Sequence, residues 1–248
     1  MKQFIVLEGL DGAGKSTQIE LLKNYLSRKY IQYKYMHFPR TDTPTIYGEM
    51  VANFLKGDYG KIDDVNPYLV ALLYAGDRND AKEMLNHWLD QGYLLVVDRY
   101  VYSNMAFQGA KFKDPAEKQG LKKWIHRLEY EYHKIPKPTL SIFLHMNFEF
   151  VSQKLKDARK GDDRKYLDGK EDIHESNLDF QEKVEAEYMQ LVKEEEDFHA
   201  IDCFDEKGET LSPDAIHRKI IDLLATKRIL PYEIPGCVRR VLPGNRNC

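Results

Sequence analysis

Cysteine is scarce in this 248-residue chain: Cys203, Cys237 and Cys248 are the only three. Odd in number and widely spaced, they suggest neither a disulfide framework nor a zinc site, and free thiols in a reducing compartment account for them. No apolar run approaches the roughly eighteen residues needed to cross a bilayer. The opening MKQFIVLEG passes straight into strand-like sequence and lacks the layout of a secretory signal. An excess of one charge is missing too, with 37 Lys and Arg against 40 Asp and Glu. Neither a nucleic-acid coat nor a basic membrane-binding surface is indicated. These absences lead us to expect a cytoplasmic protein without nucleic-acid or membrane partners.

What is present is ordinary in bulk and ordered in detail. Charged residues make up 31% and hydrophobic ones 42%, as in soluble globular domains, and the length suits one large α/β domain or at most two small ones. Apolar runs suitable for buried strands occur at Phe4–Leu7, Tyr33–Phe38, Leu94–Asp98, Leu140–Leu144 and His199–Ile201. Between them lie helical patterns: Lys15 to about Lys29, Tyr47–Lys56, a long one from Pro67 to Gln91, Pro115 to about His133, Phe148–Ala158, Leu178–Glu196 and Pro213–Thr226. Strands alternating with helices predict a parallel sheet covered on both faces. From Arg228 the pattern lapses into three prolines, two glycines and four arginines. We therefore divide the chain into a domain over 1–227 and an extension, 228–248, of unassigned role.

Gly9-Leu10-Asp11-Gly12-Ala13-Gly14-Lys15-Ser16 fits G-x-x-x-x-G-K-[ST] without mismatch, with a strand before it and a helix after. The glycines let backbone N–H groups turn inward around phosphate oxygens, and the helix adds its positive N-terminus. Gly9, Asp11, Gly12, Ala13, Gly14, Lys15, Ser16 and Thr17 are thus the candidate residues for binding a nucleoside triphosphate. Lys15 reaches for the β- and γ-phosphates, and the Ser16 hydroxyl is a ligand for Mg²⁺. Asp98, closing the strand Leu94–Val97, has the place of a second carboxylate that holds the metal through its shell.

Such a loop serves GTPases, motors, transporters and small kinases alike. The chain has no N-K-x-D for guanine and no L-S-G-G-Q transporter signature. A small-molecule kinase remains, and it needs a second anion pocket. Arg40, Arg78 and Arg99 are candidates, since strand C-termini share one sheet edge and the guanidinium fork matches phosphate. Any one of them alone reads more readily as a surface salt bridge, and Arg78, on a helix with Asp77 and Asp80, is the easiest to dismiss.

GLDGAGKST, HFPR, LLYAGDR and DRYVYSNMAFQGA, in this order and spacing, resemble the signature segments of the thymidylate kinases, P-loop nucleoside monophosphate kinases. The resemblance covers about residues 1–225. It implies a three-layer α/β fold with a five-stranded parallel sheet and a mobile lid at about 156–175. It implies transfer of the γ-phosphoryl group of MgATP to dTMP, usually by a homodimer. Asp11 then resembles the carboxylate near the acceptor sugar, Arg40 the ligand of the acceptor phosphate, and Arg99 a phosphate-bridging arginine. Tyr74 resembles the aromatic that stacks on thymine, and Arg78 the donor to the base O4. Ser103, Asn104 and Gln108 lie where the family contacts the base edge, and Phe107 where an aromatic crowds the sugar 2′ position. Tyr74 and Phe107 read alternatively as core aromatics, and Ser103 and Gln108 as partners of backbone groups.

Leu10, Asp11, Gly12 and Ala13 supply no arginine to the loop, so in this family the transition-state cation would come from the lid, ARKGDDRKYLDGK. There Arg159 and Arg164 are the candidates, in a segment that also reads as a solvated charged loop. Glu175 resembles a lid carboxylate near the acceptor sugar, with Glu171 and Asp172 as competitors. The alternatives to a dTMP kinase are a kinase for another nucleotide or deoxynucleoside, and an ATP-binding regulatory protein without catalysis.

Overall fold

The computed structural model describes residues 3–62, 64–158 and 178–230. Five parallel strands form one sheet in the order β2-β3-β1-β4-β5: β1 Gln3–Glu8, β2 Tyr33–His37, β3 Leu94–Asp98, β4 Leu140–His145 and β5 Phe198–Asp202. Every residue of β3 is buried, and so is β1 from Phe4 onward. This explains their unbroken apolar runs, since a strand covered on both faces has no solvent side to alternate with.

The helices are α1 Lys15–Arg28, α2 Ile46–Leu55, α3 Pro67–Asp80, α4 Lys82–Asp90, α5 Val101–Gly109, α6 Pro115–His126, α7 Phe148–Ala158, α8 Leu178–Glu194 and α9 Pro213–Thr226. Three start in the same way. Asn66, Asp114 and Ser212 accept a backbone N–H ahead of Pro67, Pro115 and Pro213, which need no partner for a missing N–H. α1 packs on α9, while α5 packs on α3, α6 and α8. Ile229 and Leu230, just past α9, are buried in the same core.

The predicted elements are present, with three departures. The helix expected over Pro67–Gln91 is two, α3 and α4, parted at Ala81, whose N–H is shared between the Asp77 and Arg78 carbonyls. No glycine or proline marks that break. The helix expected to reach His133 changes at Arg127 into a π-helical turn, Arg127–Tyr132. α5 was not foreseen as a helix; all nine of its residues are buried, so it shows no amphipathic period to read.

Cross-strand register brings Leu7, Asp98 and His37 side by side at the C-terminal edge of the sheet. The loops following β1, β2 and β3 leave from this edge, carrying the glycine-rich loop, Arg40 and Arg99. The Phe38–Pro39 peptide between β2 and Arg40 is cis.

Candidate active site

At the phosphate end, Gly12 and Gly14 have φ of 78° and 79°, which an L side chain rarely adopts, and Gly14 caps α1 in this left-handed form. Lys15 is buried on the first turn of α1, and its Nζ donates to the carbonyls of Leu10 (2.8 Å) and Gly9 (3.2 Å). Burial, with the Arg99 charge nearby, pulls its pKa down to about 8 against the opposing pull of Asp98, Asp11 and Glu8. Ser16 and Thr17 beside it are exposed.

Asp98 is buried at the end of β3, with Oδ2 3.4 Å from Nδ1 of His37. Burial pushes its carboxyl pKa up, but the His37 bond and the charges of Lys15 and Arg99 outweigh this and hold it below the usual range. Its other oxygen, Oδ1, is buried without a hydrogen-bond partner among the described residues. An orphaned carboxylate oxygen on a residue that feels the charge of Lys15, with the exposed Ser16 hydroxyl next to Lys15 in the chain, fits a hydrated divalent cation.

Arg99 follows with φ 63°. Its Nη2 donates to Asp11 Oδ1 at 2.6 Å, and Nη1 to Ser103 Oγ and the Tyr188 hydroxyl at 3.2 and 3.4 Å. Its guanidinium carbon lies 5.1 Å from the centre of the Phe107 ring. Burial disfavours this cation, but Asp11, Tyr188, Asp98 and Glu8 together outweigh that and raise the pKa. The other Asp11 oxygen accepts from Gln181 Nε2 at 3.3 Å, tying the loop to α8.

Beneath this group lies Glu8, fully buried at the end of β1. Its Oε1 accepts the N–H groups of Tyr100 (2.9 Å) and Ser103 (3.3 Å), so β1 caps α5, which has no capping side chain of its own. Its Oε2 accepts from the hydroxyls of Ser103 and Tyr188. Burial raises the Glu8 pKa, opposed by the Ser103 bond and the Arg99 charge.

A cavity of about 140 Å³ is lined by Asp11, His37, Phe38, Tyr74, Arg78, Arg99, Ser103, Asn104, Phe107 and Gln108, among others. Its walls come from β2, α3, α5 and the glycine-rich loop. Arg40 stands between Pro39 and Thr41, which line the cavity, but does not line it itself. Its Nε donates to Asp77 Oδ1 at 2.8 Å and Nη2 to Asp80 Oδ2 at 2.6 Å. Arg78 is paired through Nε and Nη2 with the two Glu129 oxygens, each at 2.6 Å. The reading of Arg78 as a partner of Asp77 and Asp80 gives way: those carboxylates serve Arg40. Tyr74 is half-buried against Val51, Phe54, Leu55 and Val70. Phe107 meets Phe180 and Tyr188 edge-on.

Gln108 is 1% exposed, yet neither of its amide atoms has a hydrogen-bond partner among the described residues. The same holds for Asn104 Oδ1, whose Nδ2 donates to Ala71 O and Glu129 Oε1. Each such buried polar atom costs about 1–3 kcal/mol unless something satisfies it.

The structure thus gathers Asp11, Tyr74, Arg78, Arg99, Ser103, Asn104, Phe107 and Gln108 around one cavity, with Arg40 at its edge. Arg159, Arg164, Glu171, Asp172 and Glu175 lie outside the described residues. Sequence reasoning missed Glu8, Asp77, Glu129 and Gln181. A carboxylate closing a wholly apolar strand was the available signal for Glu8; Glu129 had none.

A family model described as thymidylate kinase matches residues 7–212. A protein named probable thymidylate kinase, from Methanosphaera stadtmanae, is 31% identical over 223 residues, covering 89% of this chain and 98% of that one. Among solved structures, a thymidylate kinase from Candida albicans superposes with a TM-score of 0.67 at 26% identity, covering 91% of this chain and 92% of that one. That structure is described as revealing the origin of broad substrate specificity and a novel structural element.

Proposed function

The chain belongs to the thymidylate kinase family, and we propose that the cleft from Lys15 to Gln108 is where it performs that family's reaction. It is an enzyme that transfers the γ-phosphoryl group of ATP to dTMP, giving ADP and dTDP in dTTP synthesis. The observation that best supports this placement is one cavity whose lining includes both Asp11 and Arg99 and the side chains of Tyr74, Arg78, Asn104 and Gln108.

On this reading Gly9, Gly12, Ala13, Gly14 and Thr17 cradle the ATP phosphates with their backbone, and Lys15 leaves the Gly9 and Leu10 carbonyls for the β- and γ-oxygens. A Mg²⁺ ion held by Ser16, and through its water by Asp98, would neutralise phosphate charge. Arg40 and Arg99 receive the dTMP phosphate, whose oxygen is already ionised at neutral pH, so no general base is assigned. Tyr74 stacks on thymine. Arg78 donates to O4, and the Asn104 and Gln108 amides meet the rest of the base edge. Ser103 acts by holding Arg99, and Phe107 closes the 2′ side of the sugar. Arg159 and Arg164 are assigned as the lid cations, since the loop offers no arginine, and Glu175 as a lid carboxylate near the sugar. The protein's task is then alignment and charge neutralisation more than covalent chemistry.

No helix among the described residues is long and apolar enough to cross a membrane. We assign the enzyme to the cytoplasm, acting on ATP and dTMP without nucleic-acid or membrane partners. We also propose a homodimer, joined through exposed apolar side chains of α2 and α3: Ile46, Leu69 and Leu72. The test of the function is ATP-dependent ADP release with a panel of nucleoside monophosphates and deoxynucleosides. A strong preference for dTMP is expected; ATP binding with no turnover on any acceptor would contradict it.

A further inference from the structure

The Arg78–Glu129 pair is the most deeply buried ion pair among the described residues, with Glu129 0% and Arg78 2% exposed. Both oxygens of Glu129 are used at 2.6 Å, on Nε and Nη2 of the guanidinium. Oε1 also takes Asn104 Nδ2 at 3.1 Å. One carboxylate therefore fixes two side chains that line the acceptor cavity. The Tyr100 ring, 5.9 Å from the guanidinium carbon, limits the same arginine from another side.

Such a pair is poorly explained by stability, because desolvating both charges consumes much of their attraction, and apolar replacements are often as stable. Its backbone setting is also unusual. Glu129 sits on the π-helical turn Arg127–Tyr132, where the His133 N–H reaches back to Leu128 O at 2.9 Å. Such turns are rare and recur at functional sites.

Resting on the reading that Arg78 contacts the acceptor base, we propose that Glu129 is a positioning residue that sets the base preference. By occupying the Nε–Nη2 edge it fixes the rotation of the guanidinium and leaves the Nη1 corner to address the base. It also cancels the charge of Arg78, so what the base meets is the direction of an N–H bond. That suits a neutral carbonyl such as O4 of thymine, and it disfavours cytosine, whose C4 amino group presents a donor to a donor. The shared bond to Asn104 couples the two readers of the base edge.

Glu129→Gln tests this. The new amide still accepts one N–H of Arg78 but turns its own NH₂ toward the other, so the fork no longer matches. Steady-state kinetics with dTMP and dCMP should show the dTMP KM raised roughly tenfold, as befits loss of a charge-assisted bond. The kcat and the KM for ATP should stay within about twofold. The preference for dTMP over dCMP should fall about as much as the dTMP KM rises. Arg78→Lys, which keeps the charge and loses the fork, is measured in parallel. If Arg78→Lys relaxes the preference while folded Glu129→Gln behaves as wild type, the role of Glu129 is overturned and Arg78 remains the reader. If neither variant changes the preference, the reading of Arg78 itself fails. A fall in kcat together with rises in both KM values marks general loosening and also overturns the proposal. Should Glu129→Gln not fold, Glu129→Asp keeps the charge and withdraws the carboxylate; the same isolated rise in dTMP KM is expected, and a wild-type profile overturns the proposal.

Discussion

Lys15 and Arg78 are both buried cations of the same cleft, and their surroundings are opposite. Among the described residues the ammonium of Lys15 bonds to neutral carbonyls of its own loop, Gly9 and Leu10, and burial lowers its pKa to about 8. Arg78 is fully matched by Glu129, a carboxylate contributed from 51 residues away. On the proposed reading, the difference follows from what each end receives. A phosphate brings its own negative charge, so a lysine bonded to neutral carbonyls, with carboxylates near but none bonded to it, gains most when the ligand arrives. A pyrimidine is neutral, so an arginine that reads it is best neutralised by the protein first and used for direction.

Removing each cation should therefore do different damage. Lys15→Ala is expected to lower kcat on the order of a thousandfold or more, as loss of a preorganised phosphate donor does. Its melting temperature should not fall, since a desolvated ammonium has been removed. Arg78→Ala should behave in reverse at the level of the fold, because it strands Glu129 without its counter-charge. A loss of about 3–5 kcal/mol is expected by chemical denaturation. The double replacement Arg78→Met with Glu129→Leu should recover most of that stability and none of the dTMP affinity. A single Arg78→Ala variant as stable as wild type would break the comparison.

The pH dependence sharpens it further. In the unfolded chain Lys15 keeps its proton to about its ordinary value of 10.5, but in the fold only to about 8. Between these values the unfolded state binds more protons, so stability rises with pH across that window, by about 3 kcal/mol for this group. Lys15→Met should lack this rise when the two proteins are unfolded in urea at a series of pH values. ATP affinity of the wild type should weaken above pH 8, as the ammonium is lost.

A smaller effect is expected where Arg40 meets α2. A Cβ at Gly48 would lie 2.4 Å from the Arg40 carbonyl oxygen and 2.8 Å from Thr45 Oγ1. Gly48→Ala should cost about 2 kcal/mol through overpacking, despite the better helix propensity of alanine. It should also raise the dTMP KM severalfold by shifting the segment that carries Arg40. An unchanged KM would separate Arg40 from acceptor binding.

The phosphate end was legible in the sequence because its chemistry is local. A contiguous loop between a strand and a helix specifies backbone donors, and Lys15 and Ser16 follow directly. Asp98 was legible because parallel register brings strand ends to one edge. The acceptor end was legible only as a set of residues. Asp77 and Arg78 are adjacent in sequence but serve different partners, since successive side chains on a helix point in different directions. Glu129 lies in the charge-rich stretch RLEYEYHK, which gives no sign that one carboxylate is buried. The break at Ala81 carries no glycine or proline and left no trace in the pattern.

The most direct test of the central claim follows the phosphoryl group itself. Enzyme is mixed with γ-labelled ATP and dTMP, and the products are separated. The label is expected in dTDP, one for each ADP formed. Label released as inorganic phosphate, or retained in ATP while dTMP is bound, would contradict it.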